Sequence, residues 1–147
     1  MAAREHIGSA LPGVTVQVEE GLLRFFAKAI GETNPLYLDQ PFARAQGHRG
    51  LLVPPTYLFC LEMHGQSEPL SWLKDIGVDL LHILHGGQSF EYKEMAYAGD
   101  TLMFTGTITD IYEKKGGALT FIVKETMVRN QFGSRVAALK TTIVVRP

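Results

Sequence analysis

Four runs in the second half of the chain have the length and the apolar, β-branched composition of β-strands. They cover residues 80–94, 101–112, 119–128 and 136–145. Gly86 and Gly87 interrupt the first run, which indicates a bulge or a close backbone approach at that point. Gly116 and Gly117 lie between the second and third runs and predict a hairpin turn. Long strands joined by short turns favour an antiparallel sheet.

The first half of the chain has mainly the apolar spacing of helices. A β-branched run at residues 14–18 predicts one short strand, and the residues that follow, 19–30, predict an amphipathic helix. Residues 57–64 follow a Pro-Pro-Thr start and end at Gly65. They are apolar nearly all round, which is typical of a buried helix that a sheet covers. The pattern therefore predicts an α+β fold in which a curved antiparallel sheet wraps a central helix.

The composition is that of one ordinary globular domain spanning residues 1–147. Hydrophobic residues make up 46% of the chain and charged residues 20%. The formal net charge of -1 provides no basic surface for nucleic acid or an anionic membrane. A single cysteine excludes an intrachain disulfide framework. Residues 1–13 lack the apolar run of a signal peptide, and no run reaches the roughly 18 apolar residues of a membrane span, so we expect a cytoplasmic protein without a membrane partner.

The segment at residues 31–39 combines a helix exit with chemically useful side chains. Gly31 offers a left-handed helix cap and Pro35 cannot continue a helix, so the segment forms a rigid loop. The loop carries a carboxylate, an amide and a phenol, and side chains on such loops often bind or catalyse. Asn34-Pro35 is also an ordinary turn sequence. From the residues alone, a functional site and a simple turn both remain open.

Other reactive side chains fit structural roles better. Cys60 lies in the apolar helix without a basic neighbour, as expected of a buried core cysteine. His82 and His85 are three residues apart and would face opposite sides of a strand, so a metal site is not expected there. Glu62 and Glu91 are each compatible with a buried base or with a hydrogen-bonded, partly solvated carboxylate.

A series of different short motifs covers nearly the whole chain. They are Phe26-Ala27, Gly31-Glu32-Thr33-Asn34-Pro35-Leu36-Tyr37-Leu38-Asp39, Ala43-Arg44, Pro54-Pro55-Thr56, Leu84-His85-Gly86-Gly87-Gln88-Ser89-Phe90-Glu91-Tyr92, Ala98-Gly99-Asp100 and Thr142-Ile143-Val144-Val145-Arg146. In order and spacing they resemble the MaoC-like acyl dehydratases, and more narrowly the N-terminal dehydratase domain of that family. The resemblance implies a hot-dog fold with a long central helix, paired with a second unit so that two sheets become one. It implies no metal or other cofactor.

The resemblance also implies a catalytic site at the loop. In competent members an Asp and, five residues later, a His activate the water that adds to a trans-2-enoyl thioester, giving an (R)-3-hydroxyacyl product. Here Glu32 lies at the Asp position, Asn34 at the Asn position and Tyr37 at the His position. Glu32 keeps the carboxylate but adds a methylene. A phenol with a pKa near 10 stays protonated at neutral pH, so Tyr37 can mainly donate a proton. The expected site keeps its architecture and lacks the usual acid–base pair.

The substrate is expected at the start of the central helix. In the family, backbone amides at this point receive the thioester oxygen, which is a position that favours negative charge. The expected substrate-binding residues are therefore Pro55, Thr56, Tyr57 and Phe59. The last two are expected to line or abut the acyl tunnel.

Three functions follow from this resemblance. In the first, the chain is an (R)-specific enoyl-thioester hydratase or 3-hydroxyacyl-thioester dehydratase subunit that binds the acyl thioester of CoA or acyl carrier protein. A partner hot-dog subunit then supplies the Asp and His of a heterodimer. In the second, a homodimer catalyses alone with Glu32 as base and Tyr37, His48 or His85 as proton donor. In the third, the chain is a non-catalytic acyl-thioester-binding module. A thioesterase on the same fold ranks lower because the loop sequence is that of the hydratases.

Overall fold

The computed structural model describes residues 4–147, which form one five-stranded antiparallel sheet. Its strands are β1 (Val14–Gln17), β2 (Ile83–Tyr92), β3 (Thr101–Lys114), β4 (Leu119–Arg129) and β5 (Arg135–Val145). Their order is β1-β3-β4-β5-β2, so β2 lies at one edge of the sheet. The register of β2 on β5 shifts between His85 and Gly87, which confirms the predicted bulge. Residues 1–3, which belong to the proposed domain and to the segment tested for a signal peptide, lie outside the described residues.

The described residues also form four α-helices: α1 (Glu20–Ala29), α2 (Gln40–Ala45), α3 (Tyr57–His64) and α4 (Ser71–Asp75). The central helix is α3, which begins after the Pro-Pro-Thr segment and ends at Gly65, as predicted. Its eight residues span about 12 Å. None of the helices formed by residues 4–147 is long and apolar enough to cross a membrane.

The main hydrophobic core lies between α3 and the sheet. Tyr57, Leu58 and Leu61 of α3 are buried there against side chains from four strands and α1. These partners include Leu23, Leu102, Phe104, Val128, Val136 and Leu139. Burial of large apolar side chains on both elements is the main stabilising contribution to such a contact. A helix held in this way by an antiparallel sheet is the hot-dog fold, as expected from the sequence.

One side of α3 is less covered than its composition predicted. Phe59, Cys60 and Met63 are only partly buried, because the sheet of this chain covers the opposite side of the helix. The expectation of burial on every side is therefore wrong for the described chain alone. Cys60 packs against the margin of the main core, and burial raises the pKa of its thiol. A protonated thiol is a poor nucleophile, so Cys60 remains structural.

A second core lies beneath α4. Trp72 and Leu73 of this helix are buried against isoleucines of the sheet. The isoleucines are Ile108, Ile111, Ile122 and Ile143. This packing fixes the long connection between α3 and β2 onto the sheet.

Candidate functional site

The loop after α1 is held by its own hydrogen bonds. Gly31 adopts the left-handed conformation with φ of 72°, and the amide of Glu32 donates to the carbonyl oxygen of Ala27 at 2.8 Å. The side chain of Asn34 accepts a hydrogen bond from the amide of Leu36 at 3.0 Å. Asn34 therefore caps the single 3₁₀ turn Pro35–Tyr37. The capped turn fixes where the phenol of Tyr37 lies.

Tyr37 lines a cavity of about 390 Å³ at the start of α3. Pro55 and Leu58 form the wall from this end of the helix, and the segment after β2 forms the facing wall. Further lining residues are Val53, Tyr92, Met95, Ala96 and Val136, with Lys93 and Glu94. The lining is mainly apolar, and a concave apolar site with a few polar groups is the usual form of a small-molecule site.

Two phenols, those of Tyr37 and Tyr92, line this cavity. Burial, and secondly the charge of Glu32, raise the pKa of Tyr37 above its usual value. Burial, and secondly Tyr37, raise the pKa of Tyr92. Both phenols are therefore protonated at neutral pH and can donate a hydrogen bond. Glu32 is partly buried and is not among the described residues that line the cavity.

The described residues that line the cavity include no histidine. His48 is hydrogen-bonded through Nδ1 to the hydroxyl of Tyr97 at 2.8 Å. The ring of His85 stacks on Phe59 with centroids 5.1 Å apart, and its Nε2 lies 3.2 Å from Oε1 of Gln88. Both histidines are therefore engaged outside this cavity.

The expected substrate-binding residues lie in different environments. Pro55 lines the cavity, and Thr56 is exposed beside it, with a side chain that makes no capping hydrogen bond. Tyr57 is buried in the core, where its ring packs on Phe26 at 4.6 Å between centroids. Phe59 lies on the partly exposed side of α3. The structure thus brings Tyr37 and Pro55 to the same cavity and leaves the other three around it.

Several lining residues were missed by the sequence analysis. Leu58 is the residue through which α3 itself contacts the cavity. Tyr92 is the last residue of β2, and Met95 and Ala96 lie in the connection between β2 and β3, far from the loop in sequence. They come close to Tyr37 through the folding of the sheet, so no local sequence pattern indicates that they line the same cavity.

An ion pair supports the wall that carries Val53. Arg49 Nη1 lies 2.6 Å from Oδ1 of the fully buried Asp100, and its guanidinium lies 4.6 Å from the ring centroid of Tyr97. The Nε2 of Gln131 also donates to Asp100, at 3.0 Å. Beside this cluster the amide of Val53 donates to the carbonyl of Ala96 at 2.9 Å, which joins the two walls of the cavity. Arg49 is thus paired with Asp100.

Asp100 should make stability depend on acid pH. Burial alone would raise its pKa, but hydrogen bonds from Arg49, Gln131 and the amide of Tyr97 outweigh burial and lower it. Its stabilisation is therefore complete above the unfolded pKa of about 3.9 and is lost as pH falls through the lower folded value. We expect Asp100→Asn to cost about 2–3 kcal/mol at pH 7 and to show a weaker loss below pH 4 than the unaltered protein.

Urea unfolding followed by circular dichroism at pH 7 and pH 3 measures this. Glu91→Gln is the control, because Glu91 is exposed and pairs only with Lys93 on the surface. The control should retain the acid dependence of the unaltered chain. Equal acid dependence in Asp100→Asn and the unaltered chain would show that another group is responsible.

Comparisons with known proteins identify the family of the chain. Residues 5–139 match the family described as "FAS1-like, dehydratase domain region". A UPF0336 protein of Leifsonia xyli subsp. xyli is 33% identical over 146 residues, covering 95% of this chain and 96% of the relative.

Solved structures share the fold. The C-terminally truncated HadBC complex, a (3R)-hydroxyacyl-ACP dehydratase of Mycobacterium tuberculosis, is similar with a TM-score of 0.81 and 23% identity, over 95% of this chain and 96% of that one. A MaoC-like dehydratase of Rhodospirillum rubrum has a TM-score of 0.73 and 20% identity, over 96% and 94%. The chain therefore belongs to the FAS1-like dehydratase-domain family and has the hot-dog fold of the MaoC-like dehydratases.

Proposed function

We propose that this chain is a subunit of an (R)-specific enoyl-thioester hydratase, or of the 3-hydroxyacyl-thioester dehydratase that catalyses the reverse reaction. It binds the acyl thioester, and a partner hot-dog subunit supplies the Asp and His. The observation that carries this proposal is a formed apolar cavity that is lined by Tyr37 and has no histidine among its described lining residues.

The cavity suits the acyl part of a thioester. Its apolar walls would cover a hydrocarbon chain, and burial of each methylene is worth about 0.8 kcal/mol. The start of α3 lies at the cavity through Pro55, so the positive end of the helix dipole is available to the thioester oxygen. The hydroxyl of Thr56, which makes no capping hydrogen bond, is a further donor for that oxygen. Tyr57 supports this end of the helix from the core.

The acid–base arrangement favours reliance on a partner over catalysis by this chain alone. Water addition needs one group that removes a proton and one that returns it near neutral pH. Glu32 can accept a proton, but the raised pKa of Tyr37 makes the phenol a hydrogen-bond donor that gives up its proton poorly. His48 and His85, the other donors considered, make contacts outside the cavity. We therefore rank the self-sufficient homodimer second and the non-catalytic binding module third among the three functions.

The unpaired edge of β2 and the neighbouring side of α3 support pairing with a second subunit. The outer edge of β2 has no neighbouring strand within the described sheet, and Leu84 on this strand is 50% exposed. Phe59 and Met63 expose the adjacent side of α3. Unpaired strand edges and clustered apolar side chains both favour association. Pairing of two β2 strands would join two sheets and cover this side of α3, and the related HadBC dehydratase is a complex.

We expect Leu84→Lys to weaken this pairing at least tenfold, because it places a charge in an apolar interface. Sedimentation of the purified chain over a range of concentrations measures the change. Met103→Lys is the matched control, because Met103 is a similarly exposed apolar residue on β3, away from the β2 edge. A dimer that Met103→Lys disrupts and Leu84→Lys preserves would place the interface elsewhere.

The function is tested with the purified chain and crotonyl-CoA. We expect the chain to bind the acyl thioester in calorimetry and to give no loss of the enoyl-thioester absorbance, because it lacks the acid–base pair. Turnover that Glu32→Ala removes would instead establish self-sufficient catalysis. Absence of any acyl-thioester binding by a folded dimer would contradict the proposal. A single cysteine suits a reducing compartment, so we propose that the protein acts in the cytoplasm. The proposed acyl-thioester substrate assigns the reaction to fatty-acid metabolism.

A further inference from the structure

A second cavity, of about 250 Å³, lies at the other end of α3. Its floor contains the buried side chains of Glu62, Lys124 and Trp72. Its rim is formed by exposed residues before β1 and after α3, namely Pro12, Gly13, Ser67 and Glu68. The floor is polar, whereas the first cavity is mainly apolar, so the two cavities suit different ligands.

The floor is built around a buried ion pair. Lys124 Nζ of β4 donates to Oε2 of Glu62 on α3 at 3.1 Å, and both side chains are more than nine-tenths buried. The hydroxyl of Thr126 donates to the same oxygen at 3.4 Å. The ammonium also lies 5.0 Å from the ring centroid of Trp72. These contacts fix the positions of both charged groups.

Each charged group keeps hydrogen-bonding capacity that the described residues do not use. Both hydrogen bonds to the Glu62 carboxylate go to Oε2, and Oε1 accepts none from residues 4–147. Because Glu62 lines the cavity, this second carboxylate oxygen is the one left for a ligand there. The Lys124 ammonium has three N–H groups, and one hydrogen bond to Glu62 uses only one of them. An acceptor and a donor therefore lie side by side at the cavity floor.

The two cavities are separate sites. The first contacts α3 at Leu58, in the first turn of the helix. The second contacts Glu62 and the residues that follow the helix, Gly65 and Gln66. They share no lining residue, and the fully buried Leu61 lies on the helix between them. A ligand of the second cavity therefore does not depend on acyl binding in the first.

We propose that the second cavity binds a small uncharged molecule that carries a hydrogen-bond donor and an acceptor side by side, as a primary carboxamide does. The amide N–H would donate to Oε1 of Glu62, and the amide oxygen would accept from Lys124. The ion pair is already neutral overall, so an uncharged ligand adds no uncompensated charge to a buried site. An apolar cavity of about 150 Å³ holds benzene, so 250 Å³ accommodates a compact amide with a short substituent.

Titration with propionamide tests the proposal, because Trp72 is the single tryptophan of the chain and lines the cavity. In ¹⁵N-labelled protein, its indole N–H signal is expected to shift saturably with a millimolar dissociation constant. Butanone has an acceptor without a donor, and propionate has a charge without a donor. Both should bind at least tenfold more weakly. No saturable shift up to 100 mM propionamide, or equal binding of butanone, would overturn the proposal.

Two variants locate the ligand. The double variant Glu62→Leu with Lys124→Leu removes both partners together and should abolish the propionamide shift. The control, Glu20→Gln with Arg24→Gln, removes an ion pair at the surface and should leave the propionamide shift unchanged. Gly106→Ala keeps the ion pair, and its new Cβ would lie 3.5 Å from Cδ of Lys124, an ordinary contact distance that narrows the cavity. We expect this variant to bind at least threefold more weakly. Unchanged propionamide binding in Gly106→Ala, or retained binding in the folded Glu62→Leu, Lys124→Leu variant, would show that propionamide does not bind in this cavity.

Discussion

Changing Glu32 to Asp and Tyr37 to His together should give the chain alone a rate of crotonyl-CoA hydration at least about 100-fold above that of the unaltered protein. Tyr37 lines the cavity and sits on a turn capped by Asn34, so a histidine at this position would face the same space. A neutral imidazole with a pKa near 6.5 accepts and returns a proton near pH 7, which the Tyr37 phenol does not. The shorter carboxylate restores the expected position of the water.

The single changes and the pH profile make this experiment specific. Glu32→Asp alone should remain inactive, because the phenol still replaces the histidine. In the double variant, kcat/KM should rise with pH through a pKa of about 6.5, because the neutral imidazole is the active form. A folded double variant that binds acyl-CoA and gains no activity would show that Glu32 and Tyr37 do not occupy the Asp and His positions.

Glu62→Leu should lower the free energy of unfolding by about 3–5 kcal/mol, which is the second large effect that we expect. The substitution removes the partner of Lys124 and leaves a buried ammonium group without a counter-charge, beside the face of Trp72. Adding Lys124→Leu should recover most of the loss, because a pair of apolar side chains carries no desolvation cost. Urea unfolding by circular dichroism gives the three free energies of this cycle.

The exposed pair Glu20–Arg24 provides the matched control. Its side chains are 33% and 44% exposed, and its removal by Glu20→Gln with Arg24→Gln should change stability by at most about 1 kcal/mol. A loss in Glu62→Leu no larger than in this control would show that the buried pair is solvated in the native state. A double variant as unstable as Glu62→Leu would show that the loss is one of packing.

The elements with a strong local period were predictable from the sequence. The strands follow from their β-branched runs, the bulge in β2 from Gly86-Gly87, and the start and end of α3 from its prolines and Gly65. Each of these depends on residues close together in the chain, where steric and hydrogen-bonding preferences act directly.

The site was only partly predictable because its walls meet over long distances in the sequence. The family motif indicated Tyr37 and Pro55, but Tyr92 and Met95 reach the cavity through the path of the sheet. The sequence did not decide whether Glu62 is a buried base or a partly solvated carboxylate, because its partner Lys124 lies 62 residues away. The exposed side of α3 was also missed, since an apolar helix has the same composition whether its own chain or a second subunit covers it.

The free edge of β2 has a consequence for how the protein is made. Ten residues of strand present amide and carbonyl groups in a row, with Leu84 exposed among them. Such an edge is a template for the addition of any extended chain, so a subunit synthesised without its counterpart is prone to aggregate. The proposed pairing with a second hot-dog subunit therefore predicts that recombinant yield depends on co-expression of that subunit, and that the cell needs matched synthesis of the two polypeptides.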